Sequence, residues 1–200
     1  MTMGAQPKRV VAVSGLSGAG KTRVVRRAAE LLGNASILYF DDYAHLSTFP
    51  QDLGAWLDAG ADPNVFQTPD FARDVQALRI GQSVILPSGK VVTPAEVLLI
   101  EEPFGRMRTE MASLIDFAVF LDAPFDILLA RRLVRRLEEE REEIGEGFLD
   151  VLQADLHHHL GLGRRLHLAA HQTLSAESDL VIDSSRPLDE VVSTFMKSVF

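Results

Sequence analysis

The octapeptide "GLSGAGKT", Gly15 to Thr22, follows directly on the apolar run "RVVAVS" (Arg9 to Ser14). Each glycine weakens a regular element by roughly 0.5–1 kcal/mol, so three of them where a strand meets a helix require a compensating use. That use is backbone access: glycine admits positive φ and lets successive amide N–H groups turn inward around an anion. Beyond the glycines, Val24, Val25, Ala28, Leu31 and Leu32 recur at helical spacing up to Gly33, and the helix aims its positive end at the same spot. Gly15, Gly20, Lys21 and Thr22 occupy the fixed positions of Gly-x4-Gly-Lys-Thr, with Ser17, Gly18 and Ala19 completing the loop. In this arrangement Lys21 reaches terminal phosphates and the Thr22 hydroxyl holds magnesium. A dinucleotide fingerprint does not fit, because counting from Gly18 its third glycine falls on Arg23.

The rest of the chain alternates short apolar runs with longer helical patterns, which predicts a parallel sheet with crossover helices. Strands are expected over Arg9–Ser14, Ser36–Phe40, Glu96–Glu101, Asp116–Asp122 and Asp179–Asp183. Further helices are expected over Pro69–Ile80, Pro103–Leu114, Pro124–Glu143, Gly147–Thr173 and Pro187–Val199. Tyr43 to Thr68 reads as an irregular lobe over one end of the sheet, and Ser83 to Pro94 as a projecting hairpin. The expected fold class is α/β: a parallel sheet flanked by helices in one domain over residues 1–200, with an insertion over about 43–94 and a helical lid over about 131–145.

Charge and composition narrow the function. The net charge of −8 disfavours a groove that tracks nucleic acid. The chain has no cysteine, which removes disulfides, thiolate catalysis and cysteine-bound metal. No segment reads as a signal peptide or a membrane span, so a soluble, cytoplasmic protein without nucleic-acid or membrane partners is expected.

A phosphate loop is shared by switches, motors and small-molecule kinases. A kinase further requires an acid to take the acceptor proton, a second acid near the metal, and arginines over the phosphates. "YFDDYAHL" supplies Asp41 and Asp42 after the second strand, next to the loop if the first two strands pair, and Asp41 is the favoured base. "VLLIEEPFG" supplies Glu101 and Glu102 after another strand, with Glu101 the candidate for the metal side. "LARRLVRRLEEERE" carries Arg131, Arg132, Arg135, Arg136 and Arg141 beside an apolar stripe of Ile127, Ala130, Val134 and Leu137. A planar guanidinium fork suits phosphate oxygens. The histidines of "HHH" (His157 to His159) and the His167/His171 pair make a poor metal site, because three consecutive helical positions fan out over about 200 degrees.

With these blocks in this order, the chain resembles the uridine kinase-like branch of the P-loop kinases, which includes nicotinamide riboside kinases and phosphoribulokinases. The resemblance runs through "VVAVSGLSGAGKT", "YFDDYAHL", "DVQALRIGQSV", "VLLIEEPFG", "VFLDAPFDILLARRLVRR" and "SDLVIDSSRPLDEV". It implies ATP and Mg2+ as cofactors and a hydroxyl-bearing small molecule, a nucleoside or other ribosyl compound, as acceptor. It implies Asp41 as catalytic base, Glu101 with Thr22 at the metal, and Arg131, Arg132 and Arg135 as lid arginines. Arg186 and Pro187 fall where the branch flanks the adenine base. Two departures concern the acceptor: Asp62 and Pro63 have no histidine between them, and Glu101-Glu102 stands for the usual Glu-Gly. Tyr43, His45, Trp56, Asp62 and Arg106 are the acceptor-site candidates, with Trp56 and Tyr43 able to stack on a base. A kinase for pantothenate, a sugar phosphate or an antibiotic hydroxyl, and a slowly hydrolysing regulatory module, are the competing readings.

Overall fold

A computed structural model of the chain describes residues 9–139 and 146–200. In chain order the elements are β1 (Arg9–Gly15), α1 (Lys21–Leu32), β2 (Ala35–Tyr39), a 3-10 segment (Phe40–Leu46), α2 (Leu53–Asp58) and a short 3-10 turn (Pro63–Val65). Then come α3 (Pro69–Arg79), β3 (Val84–Ile85), β4 (Val91–Val92), β5 (Val97–Glu101), α4 (Thr109–Ala112), β6 (Phe117–Asp122) and α5 (Phe125–Glu139). After the break follow α6 (Glu146–His158), a π-helical stretch (His159–Gly163), α7 (Arg164–Glu177), β7 (Leu180–Asp183) and α8 (Leu188–Val199).

Five strands form a parallel sheet in the order β2-β5-β1-β6-β7. Because strand side chains alternate between faces, β1 serves two cores at once. Val11 and Val13 pack with Val24, Val25 and Ala28 of α1 and Phe195 of α8. Val10 and Ala12 pack on the other face with Phe71, Val75 and Leu78 of α3. Burial on both faces is why these strands read as continuous apolar runs. The common direction brings Gly15, Tyr39, Glu101, Asp122 and Asp183 to one edge of the sheet, where ligands gather in open α/β folds.

Several expectations need correction. β1 and β2 do not pair, because β5 lies between them. Pro103–Leu114 is not one helix, and only Thr109–Ala112 is helical. Glu102 folds this segment back on itself, its carboxylate accepting from the Phe104 amide at 3.0 Å and pairing with Arg108. Gly147–Thr173 is broken by the π-helical stretch, where Gly161 leaves helical φ/ψ and a Cβ at Gly163 would sit 3.1 Å from the His158 ring. The apolar stripe expected on α5 is largely exposed at Val134 and Leu137, and the buried side chain of that helix is Leu128. Tyr43 to Thr68 is more ordered than an irregular lobe, with its short helices closed by a Thr48–Gln67 bridge. The hairpin stands as β3 and β4. Of the segment expected to form a lid, residues 140–145, including Arg141, lie outside the described residues.

Candidate active site

The loop between β1 and α1 owes its shape to positive φ at Gly18 (+94°) and Gly20 (+88°). A Cβ at Gly18 would lie 2.6 Å from the carbonyl oxygen of Leu128, so α5 rests directly on the loop and only glycine fits. Ala19 is buried and closes a turn onto the Leu16 carbonyl at 3.0 Å, while Ser17 faces solvent. At the start of α1, Lys21 Nζ donates to the Gly15 carbonyl at 3.0 Å and lies 3.7 Å from Glu101. Thr22 Oγ1 donates to Glu101 Oε2 at 2.9 Å. Glu101 is buried at the end of β5, so a carboxylate and a hydroxyl meet beside the lysine.

Charge at this point is crowded. Burial lowers the pKa of the Lys21 ammonium, the nearby Glu101 and Asp41 carboxylates oppose that shift, and Arg135 adds to it. Asp41 is therefore electrostatically coupled to the loop although its strand is not β1's neighbour. Asp42 acts instead on Tyr43. Lys21, Thr22, Glu101, Asp41 and Arg135 are thus brought to one edge of the sheet.

The α5 arginines diverge. Arg131 donates to the Ser184 carbonyl at 3.0 Å, in the loop after β7. Arg132 meets His167 Nε2 and His159 Nδ1, each at 3.2 Å. Arg135 is mostly exposed, with Glu139 a distant 3.9 Å away. Arg186 lies in the loop after β7, held by Asp183 at 3.2 Å, and Pro187 caps α8.

The acceptor candidates divide. Tyr43 is buried against Phe71 and donates to Asp74 at 2.7 Å, and both burial and that bond push its phenol pKa up. Its ring is packing and has no free face for a base. Trp56 donates to the Asp62 carbonyl at 2.8 Å and packs edge-on against Phe66. Asp62 caps the Pro63–Val65 turn, and the hydrogen bonds from Asn64 lower its pKa. His45 is exposed on the 3-10 segment. Arg106 is a correction: it binds the Ile115 and Asp116 carbonyls and Asp179, all preceding β6 and β7. It therefore sits at the opposite edge of the sheet from the loop.

Residues 74–158 match the family described as Phosphoribulokinase / Uridine kinase family. A uridine kinase from Borrelia duttonii is 24% identical over 96% of this chain and 95% of its own length. One from Deinococcus deserti is 29% identical over 86% of each. The chain is similar to the uridine kinase-like branch of the P-loop kinases. It is an ATP-dependent small-molecule kinase. A chain described as a fructose transport system kinase, from Silicibacter sp. TM1040, shares the fold at a TM-score of 0.55 and 20% identity, over 88% of this chain and 90% of that one.

One arrangement in this kinase was missed from the sequence. Arg108, fully buried, donates to Glu102 at 2.5 Å, to Glu110 at 2.7 Å, to Thr68 Oγ1 at 2.5 Å and to the Phe66 carbonyl at 3.1 Å. Its guanidinium also lies over Phe40 and Phe104. Burial raises the Glu102 pKa, and Arg108 opposes that rise. Glu102 thus ties the sheet edge to the lobe before α3, instead of facing water. The available signal was a second arginine two positions beyond Arg106, in a segment whose proline and glycine argue against a regular helix.

Proposed function

We propose that this kinase transfers the terminal phosphoryl group of ATP to a hydroxyl of a nucleoside or related ribosyl compound, with magnesium held on the Thr22 and Glu101 side. The observation that carries the reading is the convergence of Lys21, the Thr22–Glu101 pair and Asp41 on the edge that the glycine loop closes. A buried carboxylate beside a hydroxyl is an oxygen donor set that suits a hard divalent cation, so the residues fit the metal. Magnesium supplies charge neutralisation across the phosphate oxygens. Backbone N–H groups of the loop and Lys21 bind the phosphates, and Asp41 accepts the proton of the acceptor hydroxyl. The acceptor oxygen bonds to phosphorus as the bond to the leaving ADP oxygen breaks. The α5 arginines balance charge on the equatorial oxygens, and Arg186 with Pro187 flanks the base. The segment from about 131 to 145 serves as the lid, and about 43 to 94 as the acceptor-side insertion.

The nucleoside class rests on the relatives named as uridine kinases. The test is ADP release from MgATP with and without a panel of nucleosides, pantothenate, sugar phosphates and aminoglycosides, repeated with Asp41→Asn. Stimulation by nucleosides is expected, and Asp41→Asn should lower that turnover about 100- to 10,000-fold with ATP affinity little changed. Stimulation by another class alone would reassign the acceptor. Slow turnover indifferent to every acceptor would favour a regulatory module.

A further inference from the structure

Arg132 is held differently from its neighbours. Arg136 pairs with Asp155, and Arg135 faces Glu139. Among the described residues no carboxylate pairs with Arg132, whose two terminal nitrogens instead meet the rings of His159 and His167, from the π-helical stretch and α7. Those rings also face each other, with centroids 5.6 Å apart, and Phe125 stacks on His167. An arginine N–H is only a donor, so each contacting ring nitrogen must be the unprotonated acceptor. That fixes two opposite tautomers: His167 carries its proton on Nδ1, and His159 on Nε2.

The surroundings keep both rings neutral. Burial, with Arg132 next in weight, brings the His167 pKa down to about 4. The same two causes lower that of His159, with Arg164 and His158 adding to them. Facing this pair are Arg132, Arg135, Arg136 and Glu139 of α5, Asp155 and His158 of α6, and Arg164 of α7, and the two carboxylates lie beside Arg135 and Arg136. Arg132 lines a cavity of about 400 Å³ together with Arg135, whose charge reaches Lys21 of the phosphate loop.

We propose that His159 and His167 are positioning residues for Arg132: as neutral acceptors they fix both arms of its guanidinium while leaving its positive charge unneutralised for the nucleotide phosphates. A carboxylate would hold the arginine as firmly but cancel the charge it is there to supply. The inference rests on the reading of the α5 arginines as phosphate partners, and it goes further by naming what orients one of them. It also makes the clamp acid-sensitive. Between the ordinary histidine pKa of 6.5 and the folded value of about 4 for His167, the unfolded chain takes up a proton that the folded chain refuses. Folding therefore loses stability as pH falls through that window.

The experiment compares His159→Leu and His167→Leu with His159→Asn and His167→Gln, whose amide oxygens stand where Nδ1 and Nε2 accept. With MgATP and the acceptor that stimulates the parent, the leucine variants should lose about 10-fold in kcat/KM for ATP, with KM for the acceptor unchanged. The amide variants should regain most of that loss. Melting curves at pH 7 and pH 5 accompany the kinetics, and the parent should lose more stability on acidification than His167→Gln. Nitrogen-15 NMR of the parent at pH 7 should find two neutral rings in the stated tautomers. Leucine variants with parental kinetics, amide variants as impaired as leucine at equal melting temperature, or charged or inverted imidazoles would each overturn the proposal. A parent with no acceptor-dependent turnover would instead strike the kinase reading, while the NMR result would still decide whether the clamp exists.

Discussion

The glycine loop and the lobe between β2 and α3 sit at the same edge of one sheet but are built in opposite ways. The loop is made by eight consecutive residues, its shape set by local backbone freedom and by two close approaches, Gly15 against Leu121 and Gly18 against Leu128. The lobe is made by contacts across long stretches of chain, with Arg108 joining Glu102, Phe66 and Thr68 through one buried guanidinium. The loop gathers its charge at the sheet edge, with Lys21 only partly exposed beside Glu101. The lobe spends its charges internally, on a pair that no solvent reaches. A loop built from consecutive residues carries its own shape, whereas the lobe takes its shape from contacts distant in sequence.

Four substitutions break or sharpen this contrast. The largest effect belongs to the loop. Lys21→Ala should cut turnover by about 100- to 1,000-fold or more, because a preorganised charge on the transferring group is lost. The same variant should melt no lower than the parent, since burial already disfavours the Lys21 ammonium. Steady-state rates beside a thermal melt check both halves, and near-parental turnover would remove Lys21 from the phosphates.

An intermediate effect, on stability, belongs to the lobe. Arg108→Leu leaves Glu102 buried without its partner and should cost about 3–5 kcal/mol in urea unfolding. Adding Glu102→Leu should recover much of that cost. If the single variant unfolds like the parent, the buried pair does not hold the lobe. The smallest effect tests the opposite edge. Arg106→Ala removes a partly exposed pair with Asp179 and should cost below about 1 kcal/mol, with the acceptor KM unchanged. A large rise in that KM would return Arg106 to the acceptor site.

The same contrast explains what could be read before the structure. Gly15 to Thr22 carries its geometry in consecutive residues, so the placing of Lys21 and Thr22 at the loop is legible at once. The position of Glu101 beside them follows because a strand end in a parallel sheet faces that edge. Strand order was not legible: apolar runs announce strands without saying which neighbours they choose, so β5 between β1 and β2 came as a correction. Arg106 and Arg108 are two residues apart and end on opposite duties, because a partner distant in sequence decides each: Asp179 for one, Thr68 with the Phe66 carbonyl for the other. In sequence the histidines suggest only metal ligands. Their partner, Arg132, lies 27 and 35 positions away, and no periodicity connects them.

The placement of β5 between β1 and β2 has a consequence of scale. Neighbouring strands lie about 4.8 Å apart, so the ends of β1 and β2 are about 9.6 Å apart before the loops extend them. Adjacent strands would halve that distance. An interposed strand works as a ruler: it sets the span between the glycine loop and the segment carrying Asp41, and it plants Glu101 at the midpoint of that span. Insertions in the lobe can lengthen or reshape it without altering this distance, because the distance is measured by backbone hydrogen bonds and not by any loop.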